Sequence, residues 1–144
     1  MPRAQILLVE DTPSDVELTR ELLEEAAIEN DLHVARDGEA ALAFLYRRGA
    51  HAGAPRPDLI LLDLNLPRRS GHEVLRTIKG DDRLKAIPVI VLTTSRADED
   101  VLASYRDHAN CFISKPLDLD EFIAVVKSIE GFWLGTVRLP PRED

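Results

Sequence analysis

The sequence predicts an α/β fold: a doubly wound, five-stranded parallel sheet in the order 2-1-3-4-5, with helices on both faces. Three observations carry this expectation. Short apolar runs alternate with amphipathic stretches along the chain, the pattern of repeated βα units. The runs QILLV, LILL, VIVL and CFIS are apolar almost throughout rather than at every second residue, as strands covered on both faces must be. Each of these runs also ends on residues able to handle a phosphate: Glu10 and Asp11, then Asp63, Thr93 and Lys115. In an open α/β sheet such strand ends converge on one crevice at the point where the strand order reverses.

The first strand is expected over Gln5 to Val9. A helix follows, with Leu18, Leu22 and Ala26 forming its apolar stripe and Ser14 or Asp15 as its N-cap. Leu32 to Arg36 reads as the second strand and Gly38 to Tyr46 as the second helix. The segment RRGAHAGAPRP, Arg47 to Pro57, is too rich in Gly, Ala and Pro to continue that helix and reads as an extended loop. Strand three is placed at Leu59 to Leu62 and a helix at Ser70 to Lys79. Pro88 stands where strand four begins, a position that requires no ladder N–H, and the strand runs from Val89 to Leu92. A helix over Ala97 to Asp107 and a fifth strand over Cys111 to Ser114 come next. The last helix carries the clearest stripe, Phe122, Val125, Val126 and Ile129 at i, i+3, i+4 and i+7.

Composition narrows the class of function. At 144 residues the chain suits one domain with a substantial core, and 44% hydrophobic with 31% charged residues is ordinary for a globular protein. A net charge of −8 argues against a nucleic-acid surface, which needs clustered Lys and Arg to displace counterions. The adjacent pair Arg68 and Arg69 reads as a solvated loop. The lone Cys111 lies within an apolar run, where it packs as a small hydrophobe and forms no internal disulfide. No apolar stretch reaches the ~20 residues of a membrane span, and the N-terminus lacks the apolar region of a signal peptide. A cytoplasmic location is expected.

The acidic residues define the chemistry. Three carboxylates close together repel one another unless a cation sits among them. Mg²⁺ takes oxygen ligands and keeps several waters, so Asp11 and Asp63 suit direct ligation, Glu10 a ligand through water, and the backbone carbonyl of Asn65 completes the set. An aspartate carboxylate attacks an activated phosphorus to form an acyl phosphate, and the Lys115 ammonium and Thr93 hydroxyl are suited to its equatorial oxygens. Inward movement of Thr93 on phosphorylation leaves space that the Phe112 ring can occupy, a switch made by local electrostatics and packing. Taken singly, each residue has an ordinary explanation: cap, solvated charge or core aromatic. Their occurrence in order at four strand ends is what favours a common site.

These residues lie in the stretches ILLVEDTPSD, DLILLDLNLPRRSG, IPVIVLTTS and CFISKP, which resemble the receiver domain of two-component response regulators over Gln5 to Glu130. The resemblance implies a flavodoxin-like fold, with Asp63 as phosphoacceptor, Glu10 and Asp11 as the acidic metal pair, Thr93 as switch hydroxyl, Phe112 as switch aromatic and Lys115 as the phosphate-binding lysine. It further implies Mg²⁺, a histidine kinase as partner, and self-dephosphorylation rather than turnover of a separate substrate. Thr94 departs from the smaller residue common in receivers and is expected to restrict access to the acyl phosphate. A narrower resemblance, through LDLNLPRRSGHEVLRTIK, NCFISKP and FWLGTVRLP, is to single-domain regulators of phytochrome-type, light-sensing histidine kinases. The receiver is expected over residues 1–130, with 131–144 as a tail too short for an output domain. That tail, with Phe132, Trp133, Leu134, Val137 and Leu139, either folds back on the last helix or crosses to a second copy to form a homodimer.

Two functions of other classes compete. An aspartyl-phosphate phosphohydrolase of the dehalogenase-like class carries a DxDxT-type motif after its first strand, where this chain has EDTPSD and places its candidate nucleophile after the third. A flavin- or nucleotide-binding module on the same fold needs a Gly-rich phosphate loop, and the crevice here is acidic instead.

Overall fold

A computed structural model describes residues 3–26, 29–64, 66, 70–93, 111–114 and 118–128. Five parallel strands form one sheet: β1 (Ala4–Val9), β2 (Asn30–Ala35), β3 (Leu59–Asp63), β4 (Val89–Thr93) and β5 (Cys111–Ser114). Their order is β2-β1-β3-β4-β5, as expected. The described helices are α1 (Pro13–Glu25), α2 (Gly38–Leu45), α3 (Gly71–Gly80) and α4 (Leu119–Ser128). The helix expected over Ala97 to Asp107 lies outside the described residues, as do Ile129 and the tail from 131 onward.

Successive side chains of a strand point to opposite faces, and the core divides accordingly. Ile6, Leu8, Leu59, Leu61, Ile90 and Leu92 pack with Val16, Leu22 and Leu23 of α1 and Phe122 and Val126 of α4. Leu7, Val9, Ile60, Leu62, Val89 and Val91 pack with Leu42 and Phe44 of α2 and Val74, Leu75 and Ile78 of α3. Both faces of the central strands are thus covered, which is why these runs are apolar at every position. The ladders start as the sequence suggests: Pro88 gives its carbonyl to the Ile60 N–H at 3.0 Å.

Several boundaries differ from expectation for local reasons. α1 begins at Pro13 with Thr12 as N-cap, not at Ser14 or Asp15, because proline suits the first helical position, where no N–H is needed. That frame places Leu18 on the outside, 55% exposed, and fills the stripe with Val16, Thr19, Leu22 and Leu23. Thr19 is tolerated in the core because its hydroxyl donates to the Asp15 carbonyl at 2.9 Å. β2 starts at Asn30, earlier than expected, because Asn30 and Asp31 pair with Ala4 and Gln5. Ser70 is the N-cap of α3 rather than its first residue, and it forms a capping box with Glu73. The loop after α2 contains one short 3₁₀ turn, Gly49–His51. Among the described residues, no helix is long and apolar enough to cross a membrane.

Candidate functional site

The carboxyl edge of the sheet is assembled from backbone contacts that run one residue past each ladder. The Glu10 N–H donates to the Ala35 carbonyl at 2.9 Å, so the chain leaves β1 still fixed to β2. The Leu64 N–H donates to the Leu92 carbonyl at 3.2 Å, which holds the residue after Asp63 against β4. Asp63 itself is the last residue of β3, and its strand neighbours are Val9-paired Leu62 on one side and Leu92 across the β4 ladder.

From this frame three carboxylates meet. One oxygen from each of Glu10, Asp11 and Asp63 lies within 4.8 Å of the others. Glu10 and Asp63 are buried, 1% and 5% exposed, while Asp11 is exposed. The Thr12 N–H donates to a Glu10 carboxylate oxygen at 3.3 Å. α1 starts directly after these residues, and Thr12 makes no side-chain cap, so the positive end of the helix dipole faces the acidic cluster. Two buried carboxylates and a third at the rim supply hard oxygen donors with room for solvent on one side. That donor set fits a divalent cation of the Mg²⁺ or Mn²⁺ type, which combines a few carboxylates with waters.

Gly71 is a residue of this site that the sequence did not single out. A Cβ there would stand 2.5 Å from both the Asp63 carbonyl oxygen and the Leu64 Cα, and its N–H donates to the Leu64 carbonyl at 3.1 Å. α3 therefore begins in direct backbone contact with the residue that carries the central carboxylate. The available signal was a glycine placed immediately after the serine of a capping box, where any good helix former would otherwise serve.

The other expected site residues are placed to different degrees. Thr93 ends β4 beside Ser114 of β5, one step beyond Leu92, the partner of Asp63. Phe112 pairs with Val91 on the outer strand β5. For both, strand position is what the structure describes. Asn65, Thr94 and Lys115 lie outside the described residues; Lys115 follows Ser114 directly in the chain, next in line after the strand that flanks Thr93.

The response regulator receiver domain matches residues 6–127 of the sequence. This chain belongs to the response regulator receiver family. Response regulator Rcp1 of Synechocystis sp. is 50% identical over 139 residues, covering 96% of this receiver and 95% of Rcp1. The crystal structure of the Mn(2+)-bound form of Rcp1 gives a TM-score of 0.78 over 97% of this chain and 100% of that one. The phosphorylated cyanobacterial phytochrome response regulator RcpA is 46% identical with a TM-score of 0.80, covering 97% and 100%. The bacteriophytochrome response regulator RtBRR is 38% identical with a TM-score of 0.84, covering 97% of this receiver and 86% of that chain. Receivers are the phosphoryl-accepting modules of two-component signalling, so the phosphohydrolase and the flavin-binding readings fall away.

Proposed function

We propose that this receiver takes a phosphoryl group on Asp63 from a phytochrome-type sensor histidine kinase, with Mg²⁺ held by Glu10, Asp11, Asp63 and the Asn65 carbonyl. The observation that carries this reading is the meeting of the Glu10, Asp11 and Asp63 carboxylates at the end of β1 and β3. Held by these carboxylates, a divalent cation would offset their charge and that of the phosphoryl oxygens together. An Asp63 oxygen attacks the phosphorus of the kinase phosphohistidine; the P–N bond breaks, its electron pair stays on the imidazole nitrogen, and that nitrogen takes a proton from solvent. The new acyl phosphate is paired by Lys115 and accepts a hydrogen bond from Thr93, and Phe112 moves into the space the threonine vacates. Water attack on the same phosphorus returns the carboxylate and inorganic phosphate, which is self-dephosphorylation and the limit of the protein's own catalysis. The cellular site is the cytoplasm.

The kinase assignment rests on the similarity to RcpA and RtBRR, named respectively as phytochrome and bacteriophytochrome response regulators. Phosphoramidate with Mg²⁺ should raise the intact mass by one phosphoryl group, mapped to Asp63, and Asp63→Asn should remove the effect. A phytochrome-type kinase should then transfer the same group from its histidine. An unchanged mass, or a label on another residue, would remove the proposal.

The receiver is also proposed to form a homodimer through α4 and the apolar tail that begins at residue 131. Sedimentation equilibrium should give twice the 16.1 kDa chain mass, reduced toward one by Trp133→Ala. A monomer at all concentrations would end that part of the account.

A further inference from the structure

At the amino end of the sheet, away from the acidic cluster, a cavity of about 240 Å³ lies among the end of α2, the approach to β3 and the connection from α3 to β4. Its lining combines buried Leu45, Pro57 and Leu84 with exposed Arg47, Arg56 and Arg83. Three arginines from three separate segments thus line one cavity with an apolar floor, in a chain whose net charge is −8.

Two of these arginines are held in place, and the third occupies a costly position. The Arg56 guanidinium donates to the Arg83 carbonyl, which ties the β3 approach to the far wall. Arg83 lies over the Tyr46 ring, 5.4 Å from its centroid, with Arg48 also at 4.7 Å. Arg47 has φ of +55°, left-handed backbone that glycine adopts without strain. It closes α2 in a Schellman arrangement: the Arg48 N–H donates to the Ala43 carbonyl at 2.9 Å and the Arg47 N–H to the Phe44 carbonyl at 3.1 Å. Glycine is the residue that helix end favours, yet a long cation stands there and lines the cavity. Local rules are broken in this way where a side chain serves something other than the fold.

Among the described residues, the nearby acids offset one of these three charges. Asp81 meets Arg83 at 3.4 Å and also accepts from the Tyr46 hydroxyl at 2.6 Å. Asp82 is paired with Lys85 at 2.9 Å, and the Asp58 carboxylate accepts from the Gln5 N–H at 2.8 Å. Arg47 and Arg56 line the cavity with no carboxylate partner among the described residues. Guanidinium forks match the oxygens of a phosphate, and several around one space suit a dianion better than a monoanionic carboxylate. The volume is below the range of about 300–1,000 Å³ usual for drug-sized ligands, so the occupant is small.

We propose that this cavity binds a small phosphate ester, its phosphate held by Arg47, Arg56 and Arg83 and its apolar part resting on Leu45, Pro57 and Leu84. The site is independent of Asp63 and of any divalent cation. Phenyl phosphate added to the full chain in EDTA should shift the backbone amide resonances of Tyr46, Arg47, Arg83 and Leu84 saturably, leaving those of Asp11 and Asp63 in place. Arg47→Gly and Arg56→Gln should each weaken binding about tenfold, the loss of one charge-assisted hydrogen bond. Arg47→Gly relieves the left-handed backbone and so reports on the charge without harming the fold; unshifted core amides of Leu8 and Leu61 check this in both variants. Absence of saturable shifts at the cavity, shifts confined to Asp11 and Asp63, or unchanged affinity in either variant would overturn the proposal.

Discussion

That Glu10, Asp11 and Asp63 would meet was legible because they follow apolar runs, and strand ends in a parallel sheet share one edge; one carboxylate oxygen of each does lie within 4.8 Å of the others. Residues whose role depends on a partner far along the chain were not legible. Tyr46 and Asp81 are such a pair: the phenol donates to the Asp81 carboxylate at 2.6 Å, and the Arg83 N–H donates to the same carboxyl at 2.8 Å. The Tyr46 hydrogen bond, then those from Arg83, lower the Asp81 pKa from 3.8 to about 2. A carboxyl with a depressed folded pKa adds stability that is fully present above its unfolded value and lost as pH falls through the folded one. Between about pH 4 and pH 2 the loss of this tie should therefore weaken the fold progressively as acid is added. Thermal melts across that window should show a shallower pH dependence for Asp81→Asn than for the native chain. Parallel curves would show that the tie contributes nothing.

At the scale of elements, the alternation of apolar runs and amphipathic stretches located every described strand and α-helix but misjudged where several begin, and it missed the 3₁₀ turn at Gly49–His51. Leu18 looked like part of the α1 stripe because it is apolar, and Thr19 did not because it is polar. Pro13 sets the helix frame, and a threonine that bonds its own backbone is acceptable in a core. The start of α3 bears most directly on the candidate site. Gly71 brings the helix into contact with the Asp63 carbonyl, and any side chain there must push the β3–α3 connection away. Gly71→Ala should cost about 1–3 kcal/mol by overpacking and, by moving Asp63, slow its phosphorylation by phosphoramidate. Chemical denaturation and the phosphorylation rate measure the two effects. A variant with native stability and rate would show that the contact relaxes freely.

For the whole molecule, the strand order could be anticipated because a doubly wound sheet buries its central strands on both faces, and LILL and VIVL admit no exposed side. What the sequence could not reveal is the division of surface between the two ends of that sheet. Acidic groups collect at the carboxyl edge, and arginines collect around a cavity at the amino edge. No run of residues announces the second group, since Arg47, Arg56 and Arg83 are brought together only by the packing of α2 and the α3–β4 connection against β3. The account as a whole rests on the carboxyl edge acting as one cation site. Paramagnetic broadening of backbone amide resonances by Mn²⁺ tests this most directly. Substoichiometric Mn²⁺ should broaden the amides of Glu10, Asp11, Thr12 and Asp63 first, with the effect displaced by excess Mg²⁺ and abolished by Asp11→Asn together with Asp63→Asn. Broadening centred elsewhere, or persisting in the double variant, would contradict it.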